Sequence, residues 1–194
     1  MPYPEGHKLK VRGKIIESAA QAFRTNGIRD ISVPFIMKGV GLTHGGFYAH
    51  FDNKEQLVAE ACRYAISDTI ALLQKAADQE KKVPKINTII DYYLSPHHRD
   101  RTEMGCILPA LSSEISRSSD EVRQVFTQEL ERMIVFISNA AKVDTATGSA
   151  LLSSMVGTLM LARSVNDSKL SDSLLSAGKQ HAKGLIETHV KSEH

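Results

Sequence analysis

Residues 43–51, THGGFYAHF, bring together groups that suit a polyanion. Thr43 precedes a short helical run, where its hydroxyl and the unbonded N–H groups of the helix start can meet a phosphate oxygen. His44 projects from the start of that run, the place from which recognition helices reach base edges. Gly45 and Gly46 occupy the first turn, where each costs a helix about 1 kcal/mol relative to alanine. Without Cβ atoms the backbone can approach a groove wall closely. Tyr48 and His50 add a phenol and an imidazole near backbone reach, and Lys54 supplies a charge at the start of the next helix. A plainer reading stands beside this one. Glycines in a short helix also mark close helix packing, and Phe47 and Phe51, four residues apart, belong to a core.

Cys106 is the second chemically suggestive group. It follows Gly105 at the start of a short helix, where the helix dipole lowers a thiol pKa. His97, His98, Arg99 and Arg101 lie just upstream and add positive charge. The pattern suits a thiolate that reacts with electrophiles; a small apolar side chain packed under the helix is the alternative. His97, His98 and Cys106 do not complete a zinc ligand set. A cysteine with nearby histidines also begins a nucleophile–base pair, but no third member or oxyanion site accompanies it. The sequence has no GxSxG, HExxH, dinucleotide fingerprint or phosphate-binding glycine loop. Neither an enzyme, a metal site nor a cofactor is expected.

These groups must be carried by helices, because no strand-like alternation of useful length occurs. Residues 8–26 place Val11, Ile15, Ala19 and Phe23 on one stripe, and Gly27 suits a C-terminal cap. Ser32 caps a helix over 33–39, with Pro34 in its first turn, where a missing N–H is tolerated. Gly41 breaks the chain before a helix over 44–50. Asn53 and Gln56 form a capping box that opens a long helix over 54–78. Pro84 begins a fifth helix and Pro96 ends it; SPHHRDRTEMG reads as a loop. Helices over 105–115, 119–141 (opened by a Ser118–Glu121 capping box), 145–165 and 171–190 complete an all-α fold of about nine. Two short capped helices around a glycine turn, resting on an amphipathic first helix, make a helix-turn-helix. The expected division is a DNA-binding domain over 1–53 and a larger domain over 54–194.

The chain has 194 residues, 42% apolar and 24% charged, as in an ordinary soluble globular protein. No apolar run approaches the roughly 20 residues of a membrane span, and MPYPEGHKLKVRGK lacks the apolar core of a secretory signal. Cys62 and Cys106 are too few for a disulfide framework. A reduced, cytoplasmic setting without a membrane partner is therefore expected. The net charge of +2 is uneven: residues 1–55 hold eight basic and five acidic residues, and the remainder 16 and 17. A basic head on a near-neutral body suits contact with a polyanion.

The segment from Arg12 to Leu57 resembles the DNA-binding domain of the TetR/AcrR family of regulators. The matching residues include Ile15, Ala19, Phe23, Gly27, Ile31, Ser32, Ile36, Gly41, Thr43, Gly45, Tyr48, His50, Phe51 and Lys54. GLTHGGFYAHF followed by NKEQL, and GCILPALSSEI at 105–115, are similar to one branch of it. Gly46 stands where a threonine or serine is common, so one hydroxyl contact is not expected. Pro34 and Val40 also depart from the usual residues. The resemblance implies a bacterial homodimer that binds double-stranded operator DNA through Ser32, Thr43, His44, Gly45, Gly46, Tyr48, His50 and Lys54. It also implies a small-molecule inducer bound in the larger domain, with the last two long helices forming the dimer surface. Ala146, Ala150, Ser153, Ser154, Gly157 and Leu161, near one helical face, fit that role; packing within the chain is the alternative. Pocket residues would come from Tyr92, Tyr93, Met104, Cys106, Phe126, Met133, Met155, Met160 and Arg163, each of which also fits plain core. Arg163 would meet an acidic ligand or an acidic side chain. Some members of this branch respond to electrophiles through a cysteine near position 106. Repression and activation both remain open.

Overall fold

A computed structural model describes residues 5–192, with side-chain surroundings for residues 6–187. Nine α-helices and two short 3-10 helices make up these residues, and no strand occurs among them. In chain order they are α1 (Glu5–Asn26), α2 (Val33–Gly39), the 3-10 helix η1 (His44–Ala49), α3 (Lys54–Gln79), α4 (Lys85–Tyr93), α5 (Pro96–Asp100), the 3-10 turn η2 (Thr102–Met104), α6 (Ile107–Ile115), α7 (Asp120–Ala141), α8 (Thr145–Ser164) and α9 (Ser168–Ser192). The all-helical architecture expected from the periodicity is present.

The apolar stripe of α1 is buried as its spacing requires: Ile15, Ala19, Ala20 and Phe23 are fully enclosed. They share a core with Ile36 and Met37 of α2, Phe47 of η1 and Leu57 of α3. Ser32 caps α2 by accepting the Phe35 N–H, with Pro34 in the first turn. Gly27 (φ 82°) and Gly41 (φ 72°) end α1 and α2 in left-handed conformations that disfavour a side chain. The Asn53–Gln56 box forms: Asn53 Oδ1 accepts the Gln56 N–H, and Gln56 Oε1 accepts the Asp52 N–H. The first three helical elements and the start of α3 thus form one small packed unit.

In the larger unit α3 packs against α4 and α7, and α8 lies between α7 and α9. Two glycines permit the crossings. A Cβ at Gly148 would collide with Ser138 of α7, and one at Gly178 would collide with Thr158 of α8. Helix α8 has 20 residues and a mean hydropathy of 1.3 over an 18-residue window, enough to span a membrane by length and composition. The expectation that no run reaches that length is corrected here. In the fold, α8 buries Leu151, Leu152, Met155, Leu159 and Ala162 against its neighbours.

Two local expectations are also corrected. Pro96 begins helix α5 instead of ending α4: Ser95 Oγ caps it by accepting the His98 N–H, so much of the expected loop is helical. Ser119, not Ser118, is the N-cap of α7, and its side chain makes no capping bond; Ser118 Oγ donates back to the Glu114 carbonyl. Helix α7 ends at Lys142 in the left-handed region (φ 57°), a place more often taken by glycine.

Candidate nucleic-acid interface and buried cysteine site

The short helix expected over 44–50 is present as a 3-10 helix over His44–Ala49, tighter than an α-helix. Two early glycines weaken α-helix formation, while Phe47 anchors the turn by burying its ring against Phe51, centroids 5.4 Å apart. That anchoring leaves the other side of η1 open. Thr43, His44, Gly45 and Tyr48 are exposed, and a Cβ at Gly45 would meet nothing within 4 Å. The Thr43 hydroxyl makes no capping bond, so it remains available to an external acceptor. The His44 and Tyr48 rings lie 5.9 Å apart on this open side. Ser32 is exposed too, with its oxygen engaged as the α2 cap.

Two expected phosphate ligands are set deeper. His50 is half-buried, with its Nδ1 enclosed and unpartnered. Desolvation, then the charges of Lys8 and Arg12, hold its pKa below the ordinary value. Lys54 Nζ donates to the Ile28 carbonyl at 2.6 Å, tying the start of α3 to the turn after α1. Burial lowers its pKa, against the opposing pull of Glu114 and Asp30. Arg12 is also engaged within the chain: it pairs with Glu60 and lies over the Phe51 ring at 4.6 Å.

The second site is a cavity of about 80 Å³ between α3, α4 and the turn before α6. It brings together Tyr92, Tyr93, Met104 and Cys106 with Thr69, His97, His98 and Arg101. It does not include Phe126, Met133, Met155, Met160 or Arg163. Met133 and Met155 are plain core, and Met160 is exposed. Arg163 meets neither an acid nor the cavity: its Nε and Nη2 donate to the carbonyls of Arg99 and His98 at 3.0 and 2.6 Å.

Cys106 is the N-cap of α6 and is fully buried. Its backbone N–H donates to His98 Nε2 at 2.9 Å, while His98 Nδ1 lies 2.6 Å from the Tyr93 carbonyl. These partners fix the imidazole as the Nδ1–H tautomer, neutral and occupied on both sides. His98 therefore supplies neither a metal lone pair nor a positive charge to the thiol. Burial pushes the Cys106 thiol up, opposite to the direction expected from the helix start and upstream cations. The Tyr93 phenol, the Leu108 N–H, Arg24 and Arg163 pull it back in part. The Tyr93 hydroxyl stands beside the sulfur without attaining full hydrogen-bond geometry with any neighbour. Cys62 in α3 is buried as well, its thiol pushed up to about 12 by desolvation and then by Glu129.

One residue that the local sequence pattern passed over ties α1 to η2 and α3. Arg24, buried at the end of α1, donates to the carbonyls of Glu103 in η2 and Ala65 in α3. An arginine in the last turn of an amphipathic helix carried no signal of this; the bonds span 79 and 41 residues.

Residues 15–61 match the model of the bacterial regulatory proteins of the tetR family. The uncharacterized HTH-type transcriptional regulator YerO of Bacillus subtilis is 26% identical over 125 residues. That match covers 62% of this chain and 43% of YerO, less than half of the relative's length. The HTH-type transcriptional repressor KstR2 of Mycobacterium tuberculosis is 40% identical over 52 residues, 27% of this chain and 26% of KstR2. Among solved structures, a TetR transcriptional regulator from Chloroflexus aurantiacus superposes with a TM-score of 0.76 at 21% identity, covering 93% of this chain and 96% of that one. At that identity the likeness establishes the shared fold.

Proposed function

We propose that this chain, whose residues 15–61 match the tetR family of bacterial regulatory proteins, is a dimeric repressor that binds operator DNA in the bacterial cytoplasm and leaves it when a small molecule binds. The observation that carries this reading is the open side of η1. Thr43, His44, Gly45 and Tyr48 stand clear of the fold on an element whose only buried side chain is Phe47. In this reading Thr43, Tyr48, His50 and Ser32 meet phosphates, and His44 with the Gly45–Gly46 backbone lies nearest the bases. Lys54 mainly holds the turn at Ile28 and has only its remaining N–H groups for DNA. Residues 1–53 carry DNA binding, and residues 54–194 carry dimerisation and sensing. The repressor KstR2, similar over part of the chain, supports repression over activation. Recovery of intergenic genomic fragments by the purified protein tests the reading; a protein that enriches none sinks it.

The dimer surface is assigned to α8 and α9. Ala146, Ala150, Ser153 and Leu161 are exposed along α8, and a Cβ at Gly157 would meet nothing within 4 Å. Gly148 and Gly178, by contrast, serve crossings within the chain. The stripe that includes Gly157 is thus free for a second copy. Gly157→Leu should leave the monomer fold intact and weaken association by about 1–3 kcal/mol through overpacking. Sedimentation over a concentration series measures this, and an unchanged dimer would remove Gly157 from the interface.

The inducer is assigned to the Cys106 cavity. At about 80 Å³ it is small, so occupancy must displace its walls. An electrophile that alkylates Cys106 would force that displacement. Because burial raises the thiol, the reaction should be slow at neutral pH and accelerate as pH rises. Iodoacetamide, whose carbon bonds to sulfur as iodide leaves, should release DNA from the parent and from Cys62→Ser but not from Cys106→Ser. If Cys106→Ser responds as the parent does, the thiol is structural and the inducer binds without covalent chemistry.

A further inference from the structure

We infer that Glu114 is a positioning residue that sets the angle between the helix-turn-helix unit and the body, and so the half-site spacing the dimer accepts; this rests on the DNA-binding reading above. Helix α1 ends at Asn26, and Gly27 turns the chain out with positive φ. The next two N–H groups, of Ile28 and Arg29, both donate to Glu114 Oε2, at 3.0 and 3.1 Å, across 86 and 85 residues. A Cβ at Gly27 would lie 2.5 Å from Glu114 Oε1, so the glycine serves the close approach as well as the turn. Lys54 Nζ holds the Ile28 carbonyl from the other side, 2.6 Å away, with Glu114 close enough to favour its charge. One carboxylate therefore grips the turn that leads from α1 to α2.

Glu114 sits in the last turn of α6, the helix whose first end is the Cys106 amide held by His98. The carboxylate is the DNA-side end of a short rigid rod, and the sensing cavity lies at the other end. A carboxylate accepting two N–H groups is a strong and directional tie. It borders an open cleft of about 230 Å³ lined also by Arg29, Lys54 and Arg117. Water entering that cleft can satisfy the two N–H groups if the side chain is shortened. The fold then survives while the angle loses its constraint. Half-sites one helical turn apart have centres roughly 34–36 Å apart, and one base pair changes that distance by about 3.4 Å.

The test uses the full-length parent, Glu114→Ala and Glu114→Gln on a two-half-site duplex selected from random DNA by the parent. Each protein is also measured on that duplex with one base pair inserted between the half-sites, and on a single half-site. The parent should lose about tenfold or more on the inserted duplex, a change equivalent to the loss of one charge-assisted contact. Glu114→Ala should bind the two duplexes within about threefold of each other and bind the single half-site as the parent does. Glu114→Gln, which keeps one neutral acceptor, should fall between. Unchanged half-site binding shows that the helix-turn-helix is folded. Glu114→Ala with the parent's spacing preference overturns the inference, as does an equal loss on the single half-site, which would make Glu114 a support of the DNA-binding unit itself. A parent that selects no duplex overturns the DNA-binding reading and this inference with it.

Discussion

Raising salt from 50 to 200 mM should weaken operator binding by about 10³–10⁵-fold. The expectation follows from where the charges stand. Of the eight Lys and Arg in residues 1–55, Arg12 is paired with Glu60, Arg24 is buried, and Lys54 is bonded to Ile28. Lys8, Lys10, Lys14, Arg29 and Lys38 remain exposed on each protomer. A dimer can therefore neutralise six to ten phosphates, and the released counterions give a slope of about −0.9 per phosphate in a plot of log K against log salt. Neutral contacts act differently. Tyr48→Phe should lower affinity at every salt concentration without changing the slope, because a phenol releases no counterion. Lys38→Ala should flatten the slope by about one unit if that lysine meets a phosphate. Lys54→Ala should weaken binding with the slope nearly preserved, since its ammonium holds a carbonyl of its own chain. His44→Ala should change the ranking of operator variants, because it removes the exposed ring at the start of η1. Titrations of the parent and these variants at four salt concentrations decide the matter; a flat parent slope excludes a phosphate-dominated interface.

The parts of this arrangement that were legible in the sequence are those fixed by local spacing. Ile15, Ala19 and Phe23 recur at helical period, and their burial follows from it. Ser32 and the Asn53–Gln56 pair announce helix starts because their bonds close within three or four residues. The open residues of η1 were legible for the same reason, since glycines and a flanking buried phenylalanine determine which side is free. What failed depends on distant partners. Pro96 fits either end of a helix, and only Ser95 capping His98 decides which. Lys54 looks like a free cation until Ile28, 26 residues earlier, is placed against it. Arg163 finds carbonyls 64 and 65 residues away instead of an acid. Cys106 shows the same limit in electrostatics. Helix position and neighbouring cations argue locally for a low thiol pKa, but burial in the folded core raises it.

Acidification from pH 7 to pH 4 should cost the folded protein about 3 kcal/mol through His98 alone. Burial is the main reason that this imidazole is pushed down to about 4; the bond to the Tyr93 carbonyl opposes the effect, and Arg163, His97 and Arg24 add to it. In the unfolded chain the ring takes a proton near 6.5. Between these values the unfolded state binds more protons, so falling pH favours it. The contribution is fully present above about 6.5 and is lost as pH falls through about 4. The geometry gives the same direction. A second proton would sit on Nε2, which now accepts the Cys106 N–H at 2.9 Å, so two donors would face each other. The ring has no room to turn away: a Cβ at Gly105 would lie 2.8 Å from Nε2, and Arg163 Nη2 grips the His98 carbonyl. Charging His98 should therefore loosen the start of α6 before the chain unfolds. Denaturant unfolding of the parent and His98→Gln at pH 7, 5.5 and 4 isolates the effect, because the carboxylates that also titrate in this range are common to both. His98→Gln should be less stable than the parent at pH 7, and the gap should shrink by about 3 kcal/mol by pH 4. A gap that stays constant across the range would mean that His98 is already charged in the folded protein or titrates freely, and the tautomer that holds Cys106 in place would be wrong.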